Sequence, residues 1–165
     1  MNLIRQVLTT QVPPSPELTS WTRLLRAHAA LTRTFNSQLE AEHGLALNEW
    51  EVLLRLSRAP ERRLKRVELV GQLLLTPSGI TRLLERLEAA GWVAKGSCPT
   101  DARVTYAVLT DAGLAKLAEA AETHVDAIQA LFSERFTAEE LESLGSLLAR
   151  LPGGASADDG ACTPR

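Results

Sequence analysis

Ser78, Thr81, Arg82 and Arg86 fall at spacings that place them on one side of an α-helix, and together they have the chemistry to read a nucleic acid duplex. The planar fork of Arg82 can meet both acceptors of a guanine edge, a pairing worth roughly 1 to 3 kcal/mol in discrimination. Ser78 and Thr81 are short enough to reach bases or phosphates, and Gly79 between them lets backbone come close. Arg86, one turn further along, stands with Lys65 and Arg66 as a candidate for phosphates, which fix register and carry no sequence information. Pairing of Arg86 with nearby glutamates is the alternative, and the sequence leaves both open. Catalytic chemistry has no comparable constellation. His28, His43 and His124 lie in separate segments without metal-ligand spacing, and none accompanies a serine or cysteine motif. Cys98 and Cys162 form no C-x-x-C, which argues against a zinc site or a disulfide framework. The expectation is a protein that is not an enzyme and that needs no cofactor or metal.

Those side chains need a short helix to hold them. Thr76 is a good N-cap and Pro77 suits the first helical position; Ile80, Leu83, Leu84 and Leu87 then form a buried stripe before Gly91 stops the helix. Just upstream, residues 66–75 carry a brief helical pattern with Val67, Leu69, Val70 and Leu73 apolar, which makes a helix-turn-helix pair. Residues 92–95 and 103–109 are extended in character, separated by turn-forming Gly96, Ser97, Pro99, Thr100 and Asp101, and read as a β-hairpin or wing.

Longer helices flank this unit. Leu18, Trp21, Leu24, Leu25, His28, Leu31, Phe35 and Leu39 recur at helical spacing up to a stop at Gly44. A second helix is expected from an N-cap at Asn48 with Glu51 three residues on, with Trp50, Leu53, Leu54 and Leu56 inward and its end at Pro60. After the hairpin, Thr110 and Asp111 open a helix of about six turns with Leu114, Leu117, Ala121, Val125, Ile128, Leu131 and Phe132 as its stripe. Thr137 and Glu140 form a capping box for the last helix, whose stripe is Leu141, Leu144, Leu147, Leu148 and Leu151.

The 165-residue chain fits one domain, or a small reading head with its own dimerisation helices. No apolar stretch reaches the roughly 18 residues of a membrane span, and the N-terminus does not read as a signal peptide, so no membrane partner and a cytoplasmic location are expected. The net charge of -2 hides an uneven distribution. Residues 55–103 hold ten Lys or Arg against five Asp or Glu, leaving eight against fifteen elsewhere, so a basic middle sits between acidic ends.

The order of elements resembles the MarR family of bacterial transcription regulators across residues 18–151. The stretch T-P-S-G-I-T-R-L-L-E-R-L-E-A-A-G-W-V at 76–93 is similar to the family's recognition helix, and C-P-T-D-A-R-V-T-Y-A-V-L-T at 98–110 to its wing, with the D-x-R motif followed by L-T. The resemblance implies a mainly α fold with a small β-hairpin wing: a winged helix-turn-helix at 48–110, flanked by dimerisation helices at 17–47 and 111–151. Residues 1–16 are then an N-terminal arm and 152–165 a disordered tail. It further implies that Arg103 reaches the minor groove or backbone and that Asp101 orients it. Gly96 and Ala102 stand where relatives are commonly basic, and Cys98 where they are acidic, so this wing carries less charge.

Implied partners are double-stranded DNA, a second copy of the chain, and a small-molecule effector, often an aromatic anion, between the dimerisation helices and the reading head. Trp21, His28, Phe35, Trp50 and Arg55 are the candidate lining, against the plainer reading of aromatic residues as core. The function expected is a repressor that binds a palindromic operator as a homodimer and is released by ligand. The rivals are a protein-interaction module without specific DNA binding, and an oxidation-responsive regulator acting through Cys98.

Overall fold

The computed structural model of the chain describes residues 15–73, 76–97 and 104–154. Its first helix, α1, spans Pro16–His43 and opens on Ser15, whose hydroxyl accepts from the Leu18 N–H at 3.3 Å. Pro16 is thus the first helical residue, a position where its missing N–H costs nothing. Gly44 closes the helix in the left-handed conformation at φ 61°. Only Phe35 and Leu39, near the C-terminal end, are buried; they are the part of α1 that packs on the helices that follow.

Helix α2, Leu47–Arg58, starts two residues earlier than the sequence suggested. Ala46 is the N-cap, and the reciprocal carboxylate is Glu49, which accepts from the Ala46 N–H at 2.9 Å; Asn48 and Glu51 do not play these parts. A side chain with no capping group of its own can precede a helix when the third residue reaches back in this way. The short turn Pro60–Arg62 holds Glu61 and Arg62 at φ 53° and 52° and leads into strand β1, Arg63–Lys65.

From the sequence, no regular element is expected between the end of the second helix at Pro60 and the helical pattern from residue 66, where β1 lies. This strand pairs antiparallel with β3, Thr105–Leu109, which also pairs with β2, Val93–Ser97, so the expected hairpin becomes a three-stranded sheet in the order β1-β3-β2. Helices α3, Arg66–Gln72, and α4, Pro77–Ala89, lie between β1 and β2 in sequence. Leu69 of α3 and Leu73, its C-cap, are buried, but Val67 is 75% exposed, because two positions from Leu69 it points about 160° away around the helix axis.

Leu53, Leu56, Leu69, Leu83, Leu84 and Leu87 are essentially excluded from water and form the centre of one core. Each such side chain contributes about 1.5 to 3 kcal/mol from burial.

Helix α5, Asp111–Ser133, is tied to the root of the wing. The Thr110 hydroxyl caps it by accepting from the Gly113 N–H at 3.0 Å, and the Thr110 N–H donates to the Trp92 carbonyl at 3.1 Å. Gly113 is required there, since a Cβ would stand 2.0 Å from that carbonyl oxygen. The buried stripe of α5 is Gly113, Leu117, Ala120 and His124, so Ala121 and Val125, expected inward, lie beside it, and Val125 is exposed. Helix α6, Ala138–Leu148, begins with the Thr137 and Glu140 capping box and buries none of its residues.

Candidate nucleic-acid interface

The recognition helix α4 is fixed before its surface is decorated. Thr76 accepts from the Gly79 N–H at 3.1 Å, Pro77 occupies the first turn, and Ile80, Leu83, Leu84 and Leu87 anchor the inner face in the core. Ser78, Thr81, Arg82 and Arg86 are therefore held outward on a rigid element, with Gly79 half-buried between them. The Thr81 hydroxyl donates to the Pro77 carbonyl at 3.1 Å. Its hydrogen is committed, so toward an outside partner it offers lone pairs, which suit the amino groups of adenine or cytosine. The Ser78 hydroxyl lies 3.2 Å from the Thr76 hydroxyl and remains exposed.

The cations divide into two classes. Arg82 is exposed and has no acidic partner among the described residues. Arg86 pairs with Glu49 of α2 at 3.0 Å, Arg66 with Glu88 of α4, and Lys65 with Glu68 at 3.7 Å. The sequence raised glutamate pairing for Arg86; the partner is supplied by another helix, which local spacing does not reveal. Ion pairs from α2 and α3 thus bracket α4 on both sides. A shallow groove of about 580 Å³ runs along the side of α4 that meets the start of α2, lined by Asn48, Gly79, Arg82, Glu85 and Arg86 among others. Asp101, Arg103 and Cys98, the wing residues singled out from the sequence, lie outside the described residues.

The sequence match of this architecture to known proteins is extensive. The profile of the MarR family matches residues 43–104. Over 66% of this chain and 76% of its own length, the transcriptional repressor Rv2887 of Mycobacterium tuberculosis is 35% identical. The regulator MhqR of Bacillus subtilis is 28% identical over 78% of this chain and 86% of its own. Sco3205 of Streptomyces coelicolor, a MarR family regulator whose crystal structure is in complex with DNA, superposes with a TM-score of 0.73 at 34% identity, covering 79% of this chain and 82% of that one. The chain belongs to the MarR family. It is a transcriptional regulator of winged helix-turn-helix type, and these relatives are regulators, not enzymes.

In this MarR-family chain the residues considered for an effector site separate into two groups. Phe35 and Trp50 both pack edge-on against His124, with ring centroids 5.4 and 4.6 Å away, where α1, α2 and α5 meet. Trp21 and His28 are exposed on α1, and Trp21 lies about 21 Å from Phe35 along the helix axis at 1.5 Å per residue. Arg55 is half-buried, and its Nε is enclosed without a hydrogen-bond partner. The sequence reading left His124, which is 1% exposed, out of the candidate lining. Its Nδ1 is 3.0 Å from the Gln38 amide oxygen, an atom that can only accept, so Nδ1–H donates and the neutral ring keeps its lone pair on Nε2. Burial pushes this imidazole below the ordinary histidine value.

Beside it, His43 of α1 contacts Glu119 at 3.1 Å and the Thr123 hydroxyl at 2.7 Å, both on α5. The hydrogen bond from His43, and then that from Lys116, holds the Glu119 carboxyl below its usual range. Lys116 also lies over the Trp92 ring, 5.8 Å from its centroid. A polar chain therefore runs from the end of α1 through α5 to the base of the wing. Three-residue and four-residue spacings on α5 hint at the Lys116, Glu119 and Thr123 part of it, but only the fold brings His43 to them.

Proposed function

We propose that this MarR-family DNA-binding regulator acts as a homodimeric repressor: two copies of α4 enter successive major grooves of a palindromic operator, and a small aromatic anion releases them. The observation that carries the reading is the outer face of α4, where Arg82, without an acidic partner among the described residues, stands with Ser78 and Thr81 on a helix capped and anchored from behind. Arg82 reads guanine, Ser78 and Thr81 contact bases or phosphates, and Gly79 allows close approach. Lys65, Arg66 and Arg86 serve phosphates, each having first to leave an acidic neighbour. Arg103, oriented by Asp101, takes the minor groove, where a narrow groove concentrates negative potential. That Sco3205 was crystallised with DNA supports this use of the fold.

Dimerisation is supported by the apolar surface left on the flanks. Leu18, Trp21 and Leu25 of α1 share one helix face and are exposed, as are Leu147, Leu148 and Leu151 at the other end of the chain. Residues 17–47 and 111–151 are assigned to the dimer interface and 48–110 to DNA. No helix among the described residues is long and apolar enough to cross a membrane, in keeping with a cytoplasmic site of action. Phe35, Trp50 and Arg55 line the effector site at the junction of the two parts, while Trp21, about 21 Å from Phe35 along α1, and the exposed His28 fall to the dimer interface. A ligand there releases DNA only through a difference in affinity between the two spacings of α4.

Selection of duplexes from a random pool by the purified chain tests the reading. Recovery of inverted half-sites about one helical turn apart is expected; recovery of no reproducible sequence would leave the protein-interaction reading in its place. Loss of operator binding on adding small aromatic carboxylates, with binding of mixed-sequence DNA tested alongside, checks the effector.

A further inference from the structure

Glu49 carries two tasks with one carboxylate, and they need different things from it. One oxygen accepts from the Ala46 N–H at 2.9 Å and starts α2; the other meets the Arg86 guanidinium of α4 at 3.0 Å. A neutral amide oxygen would satisfy the first task, so the helix start alone does not explain a charge at a side chain only 9% exposed. The second task does. Arg86 in turn is 61% exposed, so the remainder of its five-donor fork faces the groove beside α4 while one end is held.

We propose that Glu49 is a latch on Arg86, a positioning residue that competes with DNA phosphate for the guanidinium and so sets the affinity and salt dependence of the recognition face. This rests on the DNA-binding reading above. In the free protein the pair removes one positive charge from α4 and leaves Arg82 as its cation without an acidic partner among the described residues. On a duplex, Arg86 gains a phosphate only by giving up Glu49, which then takes a cation from solution. The cation released from DNA and the cation taken up by the carboxylate offset each other, so Arg86 adds little to the salt dependence while the latch is present. Glu49 also sits where movement of the other helices is felt. The Leu47 N–H donates to the Asn36 side chain of α1 at 3.0 Å, and Trp50 packs on His124 of α5. A shift of the first turn of α2 against α4 therefore changes the hold on Arg86.

The test compares the full chain with Glu49→Gln, Arg86→Ala and the double variant, titrated over a range of salt against the selected operator and a mixed-sequence duplex. Glu49→Gln keeps the acceptor for Ala46. It is expected to bind both duplexes about three- to tenfold tighter at low salt, with the logarithmic salt slope steeper by about one unit. Adding Glu49→Gln to Arg86→Ala should change neither affinity nor slope. The proposal is overturned if Glu49→Gln leaves the slope unaltered, or if its effect persists without Arg86, which would mark general removal of negative charge. A role in the helix start alone would lower the thermal midpoint and leave the slope in place. Should Glu49→Gln not fold, Arg86→Ala decides: a slope shallower by about one unit than that of the unaltered chain overturns the latch. Failure of the unaltered chain to bind any duplex would instead remove the functional reading and this proposal with it.

Discussion

The reading head and the outer helices both carry apolar stripes, but they dispose of them differently. In the head, Leu53, Leu84 and Leu87 find partners within the chain and are essentially excluded from water. On the flanks, Trp21 of α1 and Leu147 of α6 each remain 57% exposed. A helix contributes little stability until its apolar face is covered, so the flanks hold unspent driving force and the head does not. The difference teaches where each region's function lies: the head is a finished rigid mount for Arg82, and the flanks leave apolar surface uncovered, which is the ground for proposing that a second copy covers it.

The sharpest way to break that contrast is to truncate a core leucine. Leu84→Ala is expected to cost about 2 to 5 kcal/mol in urea unfolding, because it removes fully buried methyl groups and leaves a cavity under the recognition helix. Leu147→Ala at the same chain concentration should cost clearly less; equal losses would erase the distinction. Next in size is the effect of charge on the exposed stripes. Trp21→Asp together with Leu147→Asp should halve the mass seen in sedimentation, to the 17.9 kDa of one chain, while helical content is retained. A dimer that survives both changes would place the interface elsewhere.

The smallest expected effect sharpens the boundary between the two regions, where His124 is buried. Its folded-state pKa lies below that of the unfolded chain, so the unfolded state takes up the proton first as pH falls. The stability associated with the neutral ring is present above about pH 6.5 and is lost as pH drops from there toward the lowered value. His124→Leu should flatten the stability profile over this interval; an unchanged profile would assign the dependence to other groups. Among its neighbours, the Glu42 carboxylate acts to raise the His124 value and the His43 ring to lower it, both less than burial does.

Much of this was legible in the residues. Thr76, Pro77 and the stripe from Ile80 to Leu87 act locally, within a few residues of one another, so the recognition helix and its outward side chains could be read directly. The same is true of the Thr110 and Thr137 caps and the Gly44 stop. What escaped was settled by distant chain. Strand β1 has one apolar residue between two cations and exists because β3 pairs with it. The start of α2 moved to Ala46 because Glu49 reaches back, and Glu49 was invisible as a partner of Arg86, 37 positions away. On α5 the period was right but the buried line fell through Gly113 and His124, because close contact with the Trp92 carbonyl demands a residue without a side chain.

The central claim, that α4 reads base edges through Arg82, is tested most directly by titrating Arg82→Ala against the selected operator and a mixed-sequence duplex at one fixed salt concentration. The account predicts that operator binding weakens by about 1 to 3 kcal/mol, that discrimination at one guanine is lost, and that binding to the mixed duplex changes far less. Equal weakening on both duplexes, or none on either, would contradict it.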